Sequence, residues 1–382
     1  MKPILDGIRI VDMTSVIFGP YCTATLAAMG ADVVKIEPPG GDEARRVGRP
    51  VATRGMGPLH MTLNAGKRSV TWNLKTQEGR QRFEKIVAKA DVFIHNMRPD
   101  ALKRSRLDYA DIAALKPDIV YVHCTGFGVD GPYAGRSAYD DIIQAASGAA
   151  TLLPRVDGNQ APRFLPMALA DKVSGLHAIN AVTSALFHRQ RTGEGQQVEV
   201  PMFECFTHFL LQEHMYGWTF VPPNDVAGYP RQLDPKRQPL RTADGYMVVA
   251  PYTDERWVRF FDAVGEPGFL AQHGLNSARD RFAKLDVLQR KMAQVLPNRT
   301  TDEWLALFAQ HDIPAFRIND LEDVFSDPHL QAVGFFQQRT HATEGDWLQM
   351  RQPVRFSKAP EAQVSPAPLL GEHNDDDPFG WF

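Results

Sequence analysis

The chain opens with an apolar run, Ile8 to Met13, then a Gly19-Pro20 step, a helical apolar pattern to Met29, Gly30, and a second run from Asp32 to Glu37. By periodicity this is strand, helix, strand. Pro20 suits the first turn of a helix, where its missing N–H has no partner to lose. Gly30 suits the left-handed residue that ends one. The unit repeats. Arg68 to Asn73 reads as a strand, and Thr76 to Ala90 as a helix with Phe83, Ile86, Val87 and Ala90 on one face. Asp91 to His95 and Asp118 to Cys124 read as buried strands. Such alternation predicts an α/β fold, a parallel sheet flanked by helices.

Beyond this the pattern turns helical. Asp171 to Arg191 is a long helix closed by Thr192-Gly193, followed by a short strand, Gln196 to Val200, and a helix from Pro201 to about Gly217. Residues 221–239 hold five prolines and few apolar side chains, the composition of a linker. A chain of 382 residues exceeds one ordinary domain. The expected division is a large domain over 1–220, the linker 221–239, a small domain over 240–312, and a segment 313–382 that returns to the large domain.

Net charge is −3, yet residues 1–110 hold 18 Lys and Arg against 11 Asp and Glu. No run of five basic residues occurs, so the local excess fits a small polyanion, or a solvated basic face, better than nucleic acid. Cys22, Cys124 and Cys205 are too far apart for a CxxC pair and read as thiols of a reducing compartment, so a cytoplasmic location is expected. The opening MKPILDGIRIVDM lacks the apolar stretch of a signal peptide. No segment approaches the roughly 20 apolar residues of a membrane span, so no membrane partner is expected.

Several site chemistries lack an anchor. A dinucleotide site would place GxGxxG after the first strand, but the turn reads Thr14-Ser15-Val16-Ile17-Phe18-Gly19-Pro20. Gly66-Lys67 is followed by Arg68 and lacks the upstream glycine of a P-loop. The 12 histidines show no HExxH or other metal spacing, and G-x-S-x-G is absent. No metal is expected.

Ordered blocks along nearly the whole chain resemble the class III CoA-transferase family, also called the CaiB/BaiF family: GIRIVDMTSVIFGPYCTATLAAMGADVVKIE, NAGKRSVTWNLK, DVFIHNMRP, TGFGVDGPY, ADKVSG, RTGEGQQVEVP and PLLGEHN. The resemblance implies a Rossmann-like large domain built from both chain ends, a smaller α+β domain, and two subunits interlocked as a homodimer. It implies CoA transfer from an acyl-CoA donor to a carboxylic acid acceptor, with CoA as substrate and no tightly bound cofactor. The family's nucleophilic aspartate falls on Asp171 of ADKVSG. On spacing alone, an Asp before an apolar helical run is far more often an N-cap than a nucleophile. A helix N-terminus there would also keep the carboxylate ionised.

By the same resemblance the CoA contacts fall on Val16, Ile17 and Phe18, on Trp72, Asn73, Leu74 and Lys75, on Asn96, Met97 and Arg98, on Arg104, and on Arg136, Ser137, Ala138 and Tyr139. Two positions depart from the pattern. Ile17 stands where members acting on formyl-CoA and oxalate carry glutamine, which argues against oxalate. Pro38-Pro39 follows Glu37 where relatives often have arginine, so Arg45 or Arg46 would have to supply that contact. An acyl-CoA racemase of the same superfamily would need a Gly-His-Asp signature near Tyr139, and Ser137-Ala138-Tyr139-Asp140-Asp141 has no histidine. A catalytically silent CoA-binding protein is the remaining alternative. Arg231 and Arg237, near the linker, could hold the far carboxylate of a dicarboxylate, or be solvated.

Overall fold

The structure, a computed structural model, describes residues 1–375 and divides into two compact units. The first comprises Met1–Thr151, Pro162–His214 and the chain from Ala332; the second comprises Leu152–Ala161 and Met215–Gln331.

The first unit is built on six parallel strands: β1 (Arg9–Met13), β2 (Asp32–Ile36), β3 (Lys67–Val70), β4 (Val92–His95), β5 (Val120–Thr125) and β6 (Gln196–Pro201). Their order across the sheet is β3-β2-β1-β4-β5-β6. Alternate residues point to opposite faces, so one chain segment feeds two cores. Ile10, Val33, Val92, Ile94 and Val122 pack against helices Phe18–Ala28 and Leu169–Thr192. Val11, Val34, Phe93 and Tyr121 pack with Phe83, Ile86 and Val87 of helix Gln77–Val87. Burial of each such side chain stabilises by about 1.5–3 kcal/mol. Both faces being covered explains the near-continuous apolar runs that mark these strands in the sequence.

The order reverses between β1 and β4. At such a switch point two crossovers leave in opposite directions, and a crevice opens beyond the carboxyl ends of the strands. The helix after β1 begins at Phe18, two residues before Pro20, and Gly30 takes the expected left-handed conformation after it (φ 103°). Gly175 lets this helix pass close to Leu169–Thr192: a Cβ there would lie 2.7 Å from the Tyr21 ring and 3.1 Å from the Phe18 carbonyl oxygen. The returning chain lies along β3, where Gly66 donates to Ser365 and Thr71 to the Asn374 side chain.

The second unit has a three-stranded antiparallel sheet, β7 (Leu240–Arg241), β8 (Tyr246–Val249) and β9 (Ala315–Arg317), over a helical core containing Trp257, Phe260, Leu288, Trp304 and Phe308. β9 corrects the expected boundary at residue 313. Ile313-Pro314 reads as a break, but Pro314 accepts a hydrogen bond from Ala250 and the next three residues pair with β8. The return to the first unit comes only after Gln331. Residues 221–239 and the short stretch Leu152–Ala161 also belong to the second unit, the latter without any signal in the sequence pattern. Among the described residues no helix is long and apolar enough to cross a membrane.

Candidate active site

Beyond the carboxyl ends of β1, β3, β4 and β5 lies a cavity of about 660 Å³, at the switch point. Asp171 lines it. So do all the expected CoA contacts except Ile17 and Arg104. Lys75, Arg98 and Arg136 are exposed cations there, Arg136 with its guanidinium 4.6 Å from the Tyr133 ring. The Trp72 indole N–H is buried without a hydrogen-bond partner among the described residues and so remains a donor for a bound molecule.

Asp171 sits in the first turn of helix Leu169–Thr192 and is only 8% exposed. It is not the N-cap, which is Ala168. Its own N–H donates to Asp140 Oδ1 at 3.2 Å, and the Phe18 backbone N–H favours the ionised form of its carboxyl. Asp140 Oδ2 meanwhile takes the Gln144 amide at 2.6 Å, which fixes its rotamer. Burial first, and then the Asp140 charge, raise the Asp171 carboxyl to about 7, against the opposing pull of Phe18 N–H and Lys172. This corrects the expectation that the helix terminus alone would keep it ionised: one backbone donor does not offset desolvation plus a like charge.

The turn that presents Phe18 is held entirely by side chains. Val16 has φ +70°, a strained conformation for a β-branched residue, at a cost of about 1–3 kcal/mol. Asp12 Oδ1 accepts from Thr14 N at 2.8 Å, and Asp42 Oδ1 from Val16 N at 3.0 Å. Asn96 both accepts from Ser15 N and donates to Ser15 O, each at 3.0 Å. Lys35 Nζ donates to Thr14 O at 2.7 Å and pairs with Asp42 at 2.9 Å, while Lys67 pairs with Asp12 at 3.1 Å. These four charged groups are all buried. Burial alone would raise the Asp12 carboxyl, but Lys67, Lys35 and two threonine hydroxyls outweigh it and hold it at about 2.

The sequence reading passed over Asp12, Lys35, Asp42 and Lys67. A signal existed: Asp12 and Lys35 interrupt otherwise apolar strands at positions buried on both faces, where a charge persists only with a partner. Arg45 does not serve the cavity. It is buried and forms two bonds to Glu37, at 2.7 and 2.6 Å. Arg46 is exposed and, among the described residues, bonds only the Gly40 carbonyl, so it stays available. His123 lines the cavity but is stacked on His95 at 4.7 Å, and burial lowers its pKa, so it is a neutral wall. Among the described residues no cluster of three or more His, Cys, Asp or Glu could hold a metal ion.

A model of the family described as CoA-transferase family III matches residues 5–374. A succinate–glutarate CoA-transferase of Agrobacterium fabrum is 33% identical, covering 97% of this chain and 94% of that protein. A formyl-CoA:oxalate CoA-transferase of Escherichia coli O157:H7 is 29% identical, covering 98% and 94%. The crystal structure of a CaiB/BaiF family protein from Brucella suis superposes with a TM-score of 0.82 at 31% identity, covering 98% of both chains. The chain therefore belongs to CoA-transferase family III and is an enzyme that transfers CoA.

Proposed function

We propose that the chain moves CoA from an acyl-CoA to a carboxylic acid through covalent intermediates on Asp171. The observation that carries this reading is a buried carboxylate lining the switch-point cavity, its pKa raised to about 7 by burial and the Asp140 charge. A carboxylate with that pKa is ionised in substantial part near neutrality, and is a stronger nucleophile than an exposed aspartate.

Asp171 attacks the thioester carbonyl, the C–S bond breaks, and CoA leaves as thiolate, giving a mixed anhydride. The thiolate then attacks the Asp171 carbonyl carbon and expels the donor carboxylate, leaving an aspartyl-CoA thioester. The acceptor carboxylate attacks that thioester and releases the thiolate. Thiolate attack on the acceptor's carbonyl in the second anhydride forms the product and frees Asp171. Phe18 N–H is placed to donate to the oxyanions at the Asp171 carbonyl. Lys75, Arg98 and Arg136 supply charge for the CoA phosphates.

The Agrobacterium relative's name supports short dicarboxylates as the substrate class. An interlocked homodimer and a cytoplasmic setting belong to the same proposal; solution mass tests the stoichiometry. Racemisation is disfavoured because the segment before Asp140 has no histidine.

Intact mass after incubation with a panel of acyl-CoAs tests the mechanism. Wild type is expected to gain one CoA on the peptide carrying Asp171, and Asp171→Ala to gain none. Absence of an adduct, together with no label exchange between acyl-CoA and free carboxylates, would leave only CoA binding. Asn96→Ala, which releases Ser15 and leaves the buried charges intact, is expected to slow loading roughly tenfold with little change in CoA affinity. Adding Val16→Gly should recover part of that loss, because glycine holds positive φ without strain. Rapid-quench mass analysis reads both. Weakened CoA affinity instead would make Asn96 a direct CoA contact.

A further inference from the structure

The second unit contains a cavity of about 440 Å³ that the CoA chemistry above does not use. Its volume falls within the range of small-molecule sites, about 300–1,000 Å³. The inner wall is apolar and belongs to the core of that unit: Val249, Trp257, Leu288 and Met292. Val248, Tyr252, Phe282 and Ile318 form exposed apolar walls.

Two polar groups on this lining lack what their chemistry calls for. The first is Arg231, half-buried, with its guanidinium 4.8 Å from the Tyr252 ring centre. The other partly or wholly buried cations of the unit each have a carboxylate: Arg281 has Asp254, Arg256 and Arg259 share Asp312, and Lys291 has Glu266. Among the described residues Arg231 has none. Stacking on an aromatic face leaves the guanidinium edge free to donate. The second is Gln289, whose Oε1 is buried with no hydrogen-bond partner among the described residues. A buried, orphaned acceptor is costly unless a donor arrives. Arg237, exposed on the same lining, bonds only the neutral Gln232 and adds positive potential.

We propose that this cavity is a binding site for an organic carboxylate with an apolar or aromatic body and a hydroxyl or N–H donor. The carboxylate pairs with Arg231, the body fills the space between Trp257 and Phe282, and the donor reaches Gln289 Oε1. Its lining shares no residue with that of the Asp171 cavity, and the inference does not depend on the transfer mechanism.

The test uses the full chain carrying Asp171→Ala, without CoA, so that turnover plays no part. Titration calorimetry compares 3-(4-hydroxyphenyl)propanoate with 3-phenylpropanoate, which lacks the hydroxyl, and with 3-(4-hydroxyphenyl)propan-1-ol, which lacks the charge. Saturable binding of the first is expected, weakened roughly tenfold by either deletion. Arg231→Gln should cost the acid roughly tenfold and the alcohol nothing. Gln289→Leu should erase the advantage of the hydroxyl. Ala278→Trp, placed on an exposed part of the lining where the fold tolerates bulk, should block all three. Binding that ignores Arg231→Gln and Ala278→Trp would assign the acid to another cavity, and no saturable heat with any probe would overturn the site outright.

Discussion

Asp171→Asn is expected to lose CoA loading and, at the same time, to unfold at a higher temperature than the wild-type chain, by a margin that widens from about pH 5 to about pH 8. Burial and then the Asp140 charge raise this carboxyl from 3.8 to about 7. A raised folded-state pKa means the native chain binds a proton that the unfolded chain has already lost. Stability therefore falls as pH rises between those two values, and the full cost is carried above about 7. At about 1.4 kcal/mol per unit, that cost is on the order of 4–5 kcal/mol. Asparagine keeps the shape without titrating and escapes it. Differential scanning calorimetry across this range measures the effect. A gain that does not vary with pH would show that the carboxylate carries no ionisation cost in the fold.

The same shift sets the kinetics. Loading of CoA should climb with pH and level off above about 7, since the nucleophile is the ionised form. Asp140→Asn removes the like charge while its side-chain oxygen still accepts from Asp171 N–H, so the midpoint should move to lower pH. Activity and stability pull in opposite directions at this residue, as at other sites that hold a group in an unfavourable state for use.

Much of this arrangement was legible in sequence, because a doubly covered parallel sheet writes itself as apolar runs. Ile8 to Met13 and Asp32 to Glu37 locate β1 and β2 to within a residue, and Gly30 locates the stop between them. What periodicity cannot carry is pairing between distant segments. Ala315–Arg317 is too short and too exposed to signal a strand, and only its partner Tyr246–Val249 makes it one. The ionisation of Asp171 was misjudged for a related reason. Its helix position is local and readable, whereas the Asp140 carboxylate that opposes it comes from 31 positions away. Lys35 sits inside a strand whose apolar neighbours dominate any windowed reading, and Lys67 opens a strand beside Arg68 and Ser69, where a cation reads as solvated, so their partners emerge only when β1, β2 and β3 lie side by side.

Asp12→Ala is expected to destabilise the chain by about 3–5 kcal/mol in urea unfolding at neutral pH, the cost of removing one partner from a buried ion pair. The substitution leaves Lys67 without its carboxylate and deprives the Thr14 N–H and hydroxyl of their acceptor, while Thr23 keeps only its helix carbonyls. The Asp12 carboxyl is held at about 2, below its unfolded value. Its contribution is therefore fully present above about pH 4 and lost as pH falls through about 2, so the gap between variant and wild type should be flat near neutrality and close in acid. Replacing both partners, Asp12→Leu with Lys67→Met, should restore much of the lost stability, because apolar packing avoids the desolvation of two charges. It gives Thr14 no acceptor, however, and the Val16 turn loses one of its restraints. Stability that returns while CoA loading stays slow would assign the buried charges a positional role, holding Phe18 N–H against Asp171. Recovery of both would show that Lys35, Asp42 and Asn96 suffice to hold the turn.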